Sequence, residues 1–215
     1  MSNEKKPVVI VTHDLPDDWI TSLKQKAKLH IGPQGGEGLE PALKKHLPQV
    51  QGLLTLLVDP VGEELLAQAP ELRVISNMAV GVDNIDLEAC TARGIPVGNT
   101  PGILTAGTAD LTLALLLAVA RKLPQAQADA RAGRWTTWNP TGWLGTDLKG
   151  ATIGIVGMGK IGTAVARRLR PFGPRLIFNN LSPKPDLERE LDAEQVSFSK
   201  LLQESDFIAL HVPLT

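Results

Sequence analysis

The stretch Thr152-Ile-Gly-Ile-Val156, followed directly by Gly157-Met-Gly-Lys-Ile-Gly162, decides the fold of the second half of the chain. The apolar run predicts a buried strand, and the G-x-G-x-x-G pattern opens a predicted helix over residues 161–172. In this context the first glycine makes a tight turn, the second lets backbone approach a pyrophosphate, and the third lets helix pack on strand. The helix start also offers free N–H groups to phosphate. The pattern therefore predicts a dinucleotide site, with a plain glycine-rich turn as the alternative.

Short apolar runs alternate with amphipathic segments from this motif to both ends of the chain. On the carboxy-terminal side, strands are predicted at residues 175–179 and 207–212, with a helix near 199–203. On the amino-terminal side, the predicted strands are residues 8–12, 28–31, 52–58, 73–77 and 95–97, and the predicted helices are 16–26, 39–46, 61–68 and 87–93. This rhythm predicts an α/β fold of two Rossmann- or flavodoxin-like parallel-sheet lobes, the second of them incomplete.

The sequence Asn99-Thr-Pro-Gly102 interrupts the alternation and predicts a domain boundary. Residues 1–100 then form one lobe and residues 101–215 the other. Two interdomain helices are predicted within 108–132, and Thr108 is a possible cap of the first. A tryptophan-rich loop follows them, with Trp135, Trp138 and Trp143.

Composition excludes several classes of protein. The chain has 215 residues, a net charge of −1, 43% hydrophobic and 21% charged residues, so a globular chain without a basic field for nucleic acid or an anionic membrane is expected. The longest apolar run, residues 111–120, is too short to cross a bilayer, and the segment after Met1 has no leader-like apolar region. The single Cys90 is expected to be an inert buried thiol, which fits a cytoplasmic protein. Three scattered histidines lack metal-ligand spacing, so no metal is expected: His13, His30 and His46.

The end of the second strand of the nucleotide lobe bears on the choice of dinucleotide. An NAD site usually places a carboxylate there to hold the ribose hydroxyls, and a carboxylate repels a 2′-phosphate. Here the chain reads Asn180-Leu-Ser182-Pro-Lys184, with amide and hydroxyl donors and a cation but no carboxylate. NADP(H) is therefore the preferred cofactor and NAD(H) is possible. The alternative is that Lys184 is merely a solvated loop charge.

Several longer motifs, taken in order and spacing, resemble the D-2-hydroxyacid dehydrogenase family over essentially the whole chain, most closely its glyoxylate/hydroxypyruvate reductase branch. The motifs are Asn77-Met-Ala-Val-Gly-Val-Asp-Asn-Ile-Asp86, Asn99-Thr-Pro-Gly-Ile-Leu-Thr-Ala-Gly-Thr-Ala-Asp110, residues 157–166, Arg134-Trp-Thr-Thr-Trp138 and residues 206–215. The resemblance implies a substrate-binding lobe at 1–100, an NAD(P)-binding domain at 101–215, and a homodimer.

The resemblance also implies roles for individual residues. The backbone amides of Val80 and Gly81 hold the substrate carboxylate, and Trp138 lies in a loop that extends toward a partner subunit. The implied cofactor-binding residues are Thr108, Gly157, Met158, Gly159, Lys160, Ile161, Gly162, Asn180, Leu181, Ser182, Lys184, His211, Val212 and Pro213. The simpler alternatives are turn glycines at Gly81 and Gly107, a helix cap at Thr108, and ordinary packing of Trp138.

The activity implied is NAD(P)H-dependent reduction of a small 2-oxo acid, glyoxylate or hydroxypyruvate, to the D-2-hydroxy acid. The family's catalytic Arg, Glu and His lie beyond Thr215, so the resemblance assigns no catalytic residue within this sequence, and the chain alone is expected to be inactive. Two alternatives stay open: a non-catalytic nucleotide-binding or dimerisation module, and a related formate or phosphoglycerate dehydrogenase.

Overall fold

The computed structural model describes residues 6–213, which divide into two compact units between Ile103 and Leu104. Both units are parallel sheets with helices, which confirms the α/β class. The start at Met1, where no leader is predicted, and the last two residues of the 206–215 motif lie outside the described residues. Within 6–213, no helix is both long enough and apolar enough to cross a membrane.

The first unit is a parallel sheet in the order β2-β1-β3-β4-β5. Its strands are β1 (Val8–Val11), β2 (Lys28–Ile31), β3 (Gly52–Thr55), β4 (Val74–Asn77) and β5 (Val97–Gly98), and its helices are α1 (Asp17–Lys26), α2 (Pro41–Lys44), α3 (Glu63–Gln68) and α4 (Leu87–Ala92). The core forms where the inner strands meet the helices, with Ile10, Leu53 and Ile75 buried against Leu47 and Leu66. Apolar side chains on both faces explain why these strands read as continuous apolar runs.

The second unit is a parallel sheet in the order β8-β7-β6-β9. Its strands are β6 (Thr152–Val156), β7 (Arg175–Asn179), β8 (Ala193–Gln195) and β9 (Phe207–Leu210), and its helices are α5 (Thr105–Ala120), α6 (Leu123–Arg131), α7 (Lys160–Leu169), α8 (Pro185–Leu191) and α9 (Phe198–Glu204). Helix α7 buries Val165 and Leu169 in a core that also contains Leu116 of α5. An ion pair from Arg168 to Asp110, at 2.6 Å, joins the same two helices.

The structure differs from the sequence predictions at identifiable places. Helix α5 begins at Thr105, so Thr108 lies inside it and its N–H bonds to the Leu104 carbonyl; the cap predicted at Thr108 is wrong. The predicted strand at 52–58 ends at Thr55, because the chain turns there and the Leu56 amide donates to the Asp59 carboxylate. The predicted helix at 39–46 contracts to Pro41–Lys44, and a 3-10 turn at Leu47–Gln49 follows it. Sequence reasoning missed α8 and β8, since Ala-Glu-Gln has no apolar run.

Candidate functional site

The turn after β6 requires glycine at its first position. Gly157 has φ of +92°, a conformation that L side chains rarely adopt, and a Cβ there would overlap the carbonyl oxygen of His211. The Gly157 N–H donates to the Asn179 carbonyl at 2.9 Å, so the turn is also tied to the end of β7. The chain therefore turns tightly between the carboxyl ends of its neighbouring strands.

The other two glycines of the motif have different surroundings. A Cβ at Gly162 would overlap the Gly157 carbonyl, so the third glycine lets α7 approach the turn closely. A Cβ at Gly159 would meet nothing within 4 Å. The middle glycine therefore borders open space beside the start of α7, where a bound group can approach backbone. This difference agrees with the three roles that a dinucleotide motif asks of its glycines.

The start of α7 offers unused hydrogen-bond donors. Across the part of the chain that the structure describes, the amides of Gly159, Lys160 and Ile161 donate no hydrogen bond. Lys160 is the first residue of the helix and is exposed. Unpaired N–H groups, the positive end of a ten-residue helix and an exposed ammonium suit a phosphate. The residues present thus fit a pyrophosphate.

Met158 is buried, whereas Gly159 and Lys160, which follow it, are exposed. Its side chain is buried in the core, and its N–H donates to the Asn180 side-chain oxygen at 3.1 Å. The Asn180 amide nitrogen donates in turn to the carbonyl and hydroxyl of Ser182, at 2.9 and 3.2 Å. Asn180 thus connects the glycine turn to the segment that follows β7.

The 180–184 segment lies at the carboxyl end of β7 and is mostly exposed. Leu181 and Ser182 are exposed, and Lys184 is half-buried just before α8. The segment holds no carboxylate. It presents donors and a cation where the second strand of a dinucleotide fold faces the adenosine ribose.

The chain after β9 lines the opposite side of the same turn. The His211 N–H donates to the Val156 carbonyl at 2.8 Å, while Val212 and Pro213 are exposed. Burial lowers the pKa of His211, and its Nε2 atom has no hydrogen-bond partner within residues 6–213. Strands β6 and β9 are neighbours on the side where the strand order reverses, and ligands of open α/β sheets bind in such crevices.

In the first unit, the loop after β4 has its carbonyl groups fixed. The Ala79 carbonyl accepts from the N–H and hydroxyl of Thr100, at 2.8 and 3.0 Å. The Val80 carbonyl accepts from the Asn99 side chain at 2.8 Å. The Gly81 carbonyl accepts from the Asn77 side chain at 3.0 Å. The orientation of three successive peptide groups is therefore set by side chains from β4 and the 99–100 segment.

The amides of this loop have no such partners. Among the residues described, the N–H groups of Val80 and Gly81 donate no hydrogen bond. Two adjacent free amides on a fixed loop can bind a carboxylate without a bulky side chain. The exposed Asp83 carboxylate is close, since a Cβ on Gly81 would lie 2.7 Å from its Oδ2 atom.

Sequence reasoning assigned no role to the side chains that hold these two segments. Asn77, Asn99 and Thr100 fix the loop of the first unit, and Gln195 contacts the 180–184 segment of the second. The usable signal was polar side chains at the ends of apolar strands. Asn77 ends the apolar strand β4 and carries this signal, whereas Gln195 ends β8, which has no apolar run, and does not carry it.

The remaining candidate residues lie on α5 and in the loop after α6. Thr108 is half-buried in α5, and Trp138 is 78% exposed in the loop that follows α6. A groove of about 450 Å³ separates α5 from β9 and is lined mainly by apolar side chains, including Leu115 and Val119. No group of three or more potential metal ligands occurs in the described part of the chain.

Comparison with known families matches the second unit. The model for "D-isomer specific 2-hydroxyacid dehydrogenase, NAD binding domain" matches residues 113–215. Glyoxylate reductase of Thermococcus litoralis is 46% identical over 214 residues, which cover 98% of this chain and 65% of the relative. Glyoxylate reductase of Korarchaeum cryptofilum is 43% identical, with 98% and 64% covered. The chain thus spans slightly less than two thirds of the length of these relatives.

Two solved structures also match nearly the whole of this chain over less than two thirds of their own length. The TT0316 protein from Thermus thermophilus superposes with a TM-score of 0.87 at 43% identity, covering 97% of this chain and 65% of that one. The D-lactate dehydrogenase of Aquifex aeolicus, complexed with NAD and lactic acid, superposes with a TM-score of 0.84 at 27% identity, covering 97% and 61%.

Proposed function

Because the chain belongs to the D-isomer specific 2-hydroxyacid dehydrogenase family, we propose that it serves NADPH-dependent reduction of a small 2-oxo acid, glyoxylate or hydroxypyruvate, to the D-2-hydroxy acid. The observation that carries the proposal is a pair of backbone anion sites. One is the α7 start beside Gly159, and the other is the loop at Val80 and Gly81. A dinucleotide pyrophosphate and a substrate carboxylate are the two anions that this reaction brings together.

The chain's own residues bind and orient in this reaction. The amides of Gly159 to Ile161 hold the pyrophosphate, and Thr108 and the 211–213 segment line the nicotinamide side. The amides of Val80 and Gly81 hold the 2-oxo acid by its carboxylate. Reduced nicotinamide, when bound, supplies the hydride that reaches the carbonyl carbon, and the resulting alkoxide takes up a proton. By resemblance, the proton donor is a His oriented by a Glu, with an Arg on the carboxylate.

The preference for NADPH rests on the 180–184 segment. Ser182 can donate to a 2′-phosphate and Lys184 can pair with it, while the segment has no carboxylate to repel it. Lys184→Ala should weaken NADPH binding about fivefold, the upper end of the value of one ion pair near a surface. NADH binding should change less than twofold. If Lys184→Ala weakened NADPH and NADH binding equally, Lys184 would be only a solvated charge and would not determine cofactor specificity.

The decisive experiment is a binding and turnover assay. NADPH binding is expected with this chain and is expected to be lost in Gly159→Asp, where a carboxylate enters the open space at the α7 start. Turnover of glyoxylate or hydroxypyruvate is expected once the family's Arg, Glu and His are supplied in a longer chain. Formate and 3-phosphoglycerate belong in the same assay, and a preference for either would replace the proposed substrate.

We also propose that the protein acts as a homodimer through the second unit. Apolar side chains are exposed along α5, at Leu111, Leu115 and Val119, and Trp138 is exposed in the loop after α6. A contiguous apolar surface of this kind is typical of an interface. Sedimentation equilibrium should give a dimer that Leu115→Glu dissociates. A monomeric wild-type chain would contradict this part of the proposal.

A further inference from the structure

The short strand β8 ends at a glutamine whose side chain reaches the segment after β7. Gln195 is half-buried, and its Nε2 atom donates to the Asn180 carbonyl at 3.0 Å. The same nitrogen lies 3.4 Å from the Ser182 carbonyl. Its Oε1 atom accepts from the Lys184 N–H at 3.0 Å. One primary amide thus holds both ends of the 180–184 segment.

The backbone that carries this amide is itself fixed. The Gln195 N–H donates to the Glu188 carboxylate at 2.9 Å, and the next amide, of Val196, donates to the Phe178 carbonyl at 2.8 Å. Gln195 also pairs with Phe178 in the parallel register of β7 and β8. The side chain therefore projects from a rigid strand end, while the segment it contacts is mostly exposed.

Only a side-chain amide of this length can make both contacts. The Asn180 carbonyl needs a donor, and the Lys184 N–H needs an acceptor. A glutamate keeps the acceptor but loses the donor, and it adds a negative charge near Ser182 and Lys184. A leucine keeps the approximate volume and makes neither bond. The two hydrogen bonds therefore depend on the amide group of Gln195 and not on the volume of its side chain.

We propose that Gln195 is a positioning residue for cofactor specificity. It fixes the 180–184 backbone so that the Ser182 hydroxyl and the Lys184 ammonium face the 2′-phosphate of NADP(H). The inference rests on the proposed preference for NADPH and extends it to a residue that does not touch the cofactor. It explains why an exposed segment without a carboxylate can discriminate between two dinucleotides, since its donors are held and do not have to be ordered on binding.

The experiment compares two probes that differ in the 2′-phosphate, 2′,5′-ADP and 5′-AMP, by isothermal titration with the 215-residue chain. Gln195→Leu should lower the ratio of 2′,5′-ADP to 5′-AMP affinity at least fivefold, with less than twofold change for 5′-AMP. Amide exchange at Lys184 should become faster in the same variant. Gln203→Leu, an exposed glutamine on α9 of the same unit, is the matched control and should change neither quantity.

Gln195→Glu is the second variant, since it keeps the side-chain length and tolerates exposure if the leucine variant folds poorly. It should lower the affinity ratio further than leucine, because it also repels the 2′-phosphate. The wild-type ratio tests the proposed function: a ratio near one, or no binding of either probe, contradicts it, and this inference falls with it. A high wild-type ratio that persists in both variants overturns the Gln195 inference alone. An equal loss of both probes in the variants also overturns it, because that is the result of a structural role only.

Discussion

Both units contain a parallel sheet whose strand order reverses once, and they use this reversal point in opposite ways. In the first unit the strand order reverses between β1 and β3, and in the second between β6 and β9. In the second unit Gly157 and Gly159 keep this crevice clear, and the α7 amides there stay unpaired. In the first unit the corresponding crevice is filled by the chain's own side chains. The loop of that unit for which we propose anion binding lies elsewhere, after β4.

The side chains that fill the first crevice bond to one another, although the other carboxylate oxygen of Asp59, Oδ1, has no hydrogen-bond partner within residues 6–213. The Asp59 carboxylate, 2% exposed, accepts from the Thr12 hydroxyl at 2.5 Å and from the Leu56 N–H at 2.8 Å. His13, 5% exposed, places Nδ1 3.4 Å from the same carboxylate oxygen. A reversal of strand order therefore creates a crevice, and the residue types at the strand ends decide whether it binds a ligand or becomes a closed polar junction.

The largest expected effect comes from closing the open crevice. Gly162→Ala forces a methyl group into the Gly157 carbonyl, so the backbone must shift, at a cost of about 3 kcal/mol in the stability of the second unit. Gly159→Ala meets open space and should leave the melting temperature unchanged while it weakens NADPH binding about tenfold. Thermal melting and titration measure both. If the two variants were equally stable, Gly159 and Gly162 would not differ in their tolerance of a side chain, contrary to the space around each of them.

Breaking the closed crevice should have the next largest effect. Asp59→Ala removes the buried carboxylate that accepts from the Leu56 N–H and the Thr12 hydroxyl, which costs about 2 kcal/mol of stability in the first unit. Binding of 2′,5′-ADP should change less than twofold, since that site lies in the second unit. Asp14→Ala, at an exposed carboxylate next in sequence to His13, is the control and should cost less than about 0.5 kcal/mol. If Asp59→Ala cost less stability than Asp14→Ala, the buried polar junction would not stabilise the first unit, and this difference between the units would not hold.

The contrast between the units also explains what could be predicted from sequence. The glycine signature acts over six consecutive residues, so its strand, turn and helix could be predicted, and the bounds of β6 and β7 agree with the structure. The polar junction joins Thr12 to Asp59, 47 positions apart, and His13 was part of a predicted turn. Gln195 lies on a strand with no apolar run. Such contacts depend on tertiary placement, which neither periodicity nor spacing expresses.

A moderate effect is expected at the loop after β4 in the first unit, for which we propose anion binding. Asn99→Ala removes the donor to the exposed Val80 carbonyl, a bond worth about 1 kcal/mol, and loosens the orientation of the free amides. Amide exchange at Thr100, whose N–H donates to the neighbouring Ala79 carbonyl, should become about fivefold faster, without a change in the second unit. Asn139→Ala, in the loop after α6 of the second unit, is the control. Unchanged exchange in Asn99→Ala would show that the loop is held by Thr100 and Asn77 alone.

The smallest expected effect is a difference between the two units in how their stability depends on pH. His30 stacks on His46, with ring centroids 3.4 Å apart, and the pKa of His30 is lowered from 6.5 by burial first, then by His46 and by Lys28 and Lys45. A lowered folded-state pKa means that the unfolded chain takes up the proton first. The stability is therefore full above about pH 6.5 and is lost as the pH falls through the lowered value.

The second unit has one comparable group, because burial alone lowers the pKa of His211. Both units should therefore lose stability in acid, but only in the first does a neighbouring imidazole contribute. His46→Gln removes that contribution and should reduce the difference in unfolding midpoint between pH 7.5 and 5.5 for the first unit, followed by amide exchange in β1 and β3. His211→Gln is the matched control and should reduce it only for β6 and β7. If His46→Gln left the acid sensitivity of the first unit unchanged, the stacked pair would not be its source, and the two units would respond to acid through buried histidines of the same kind.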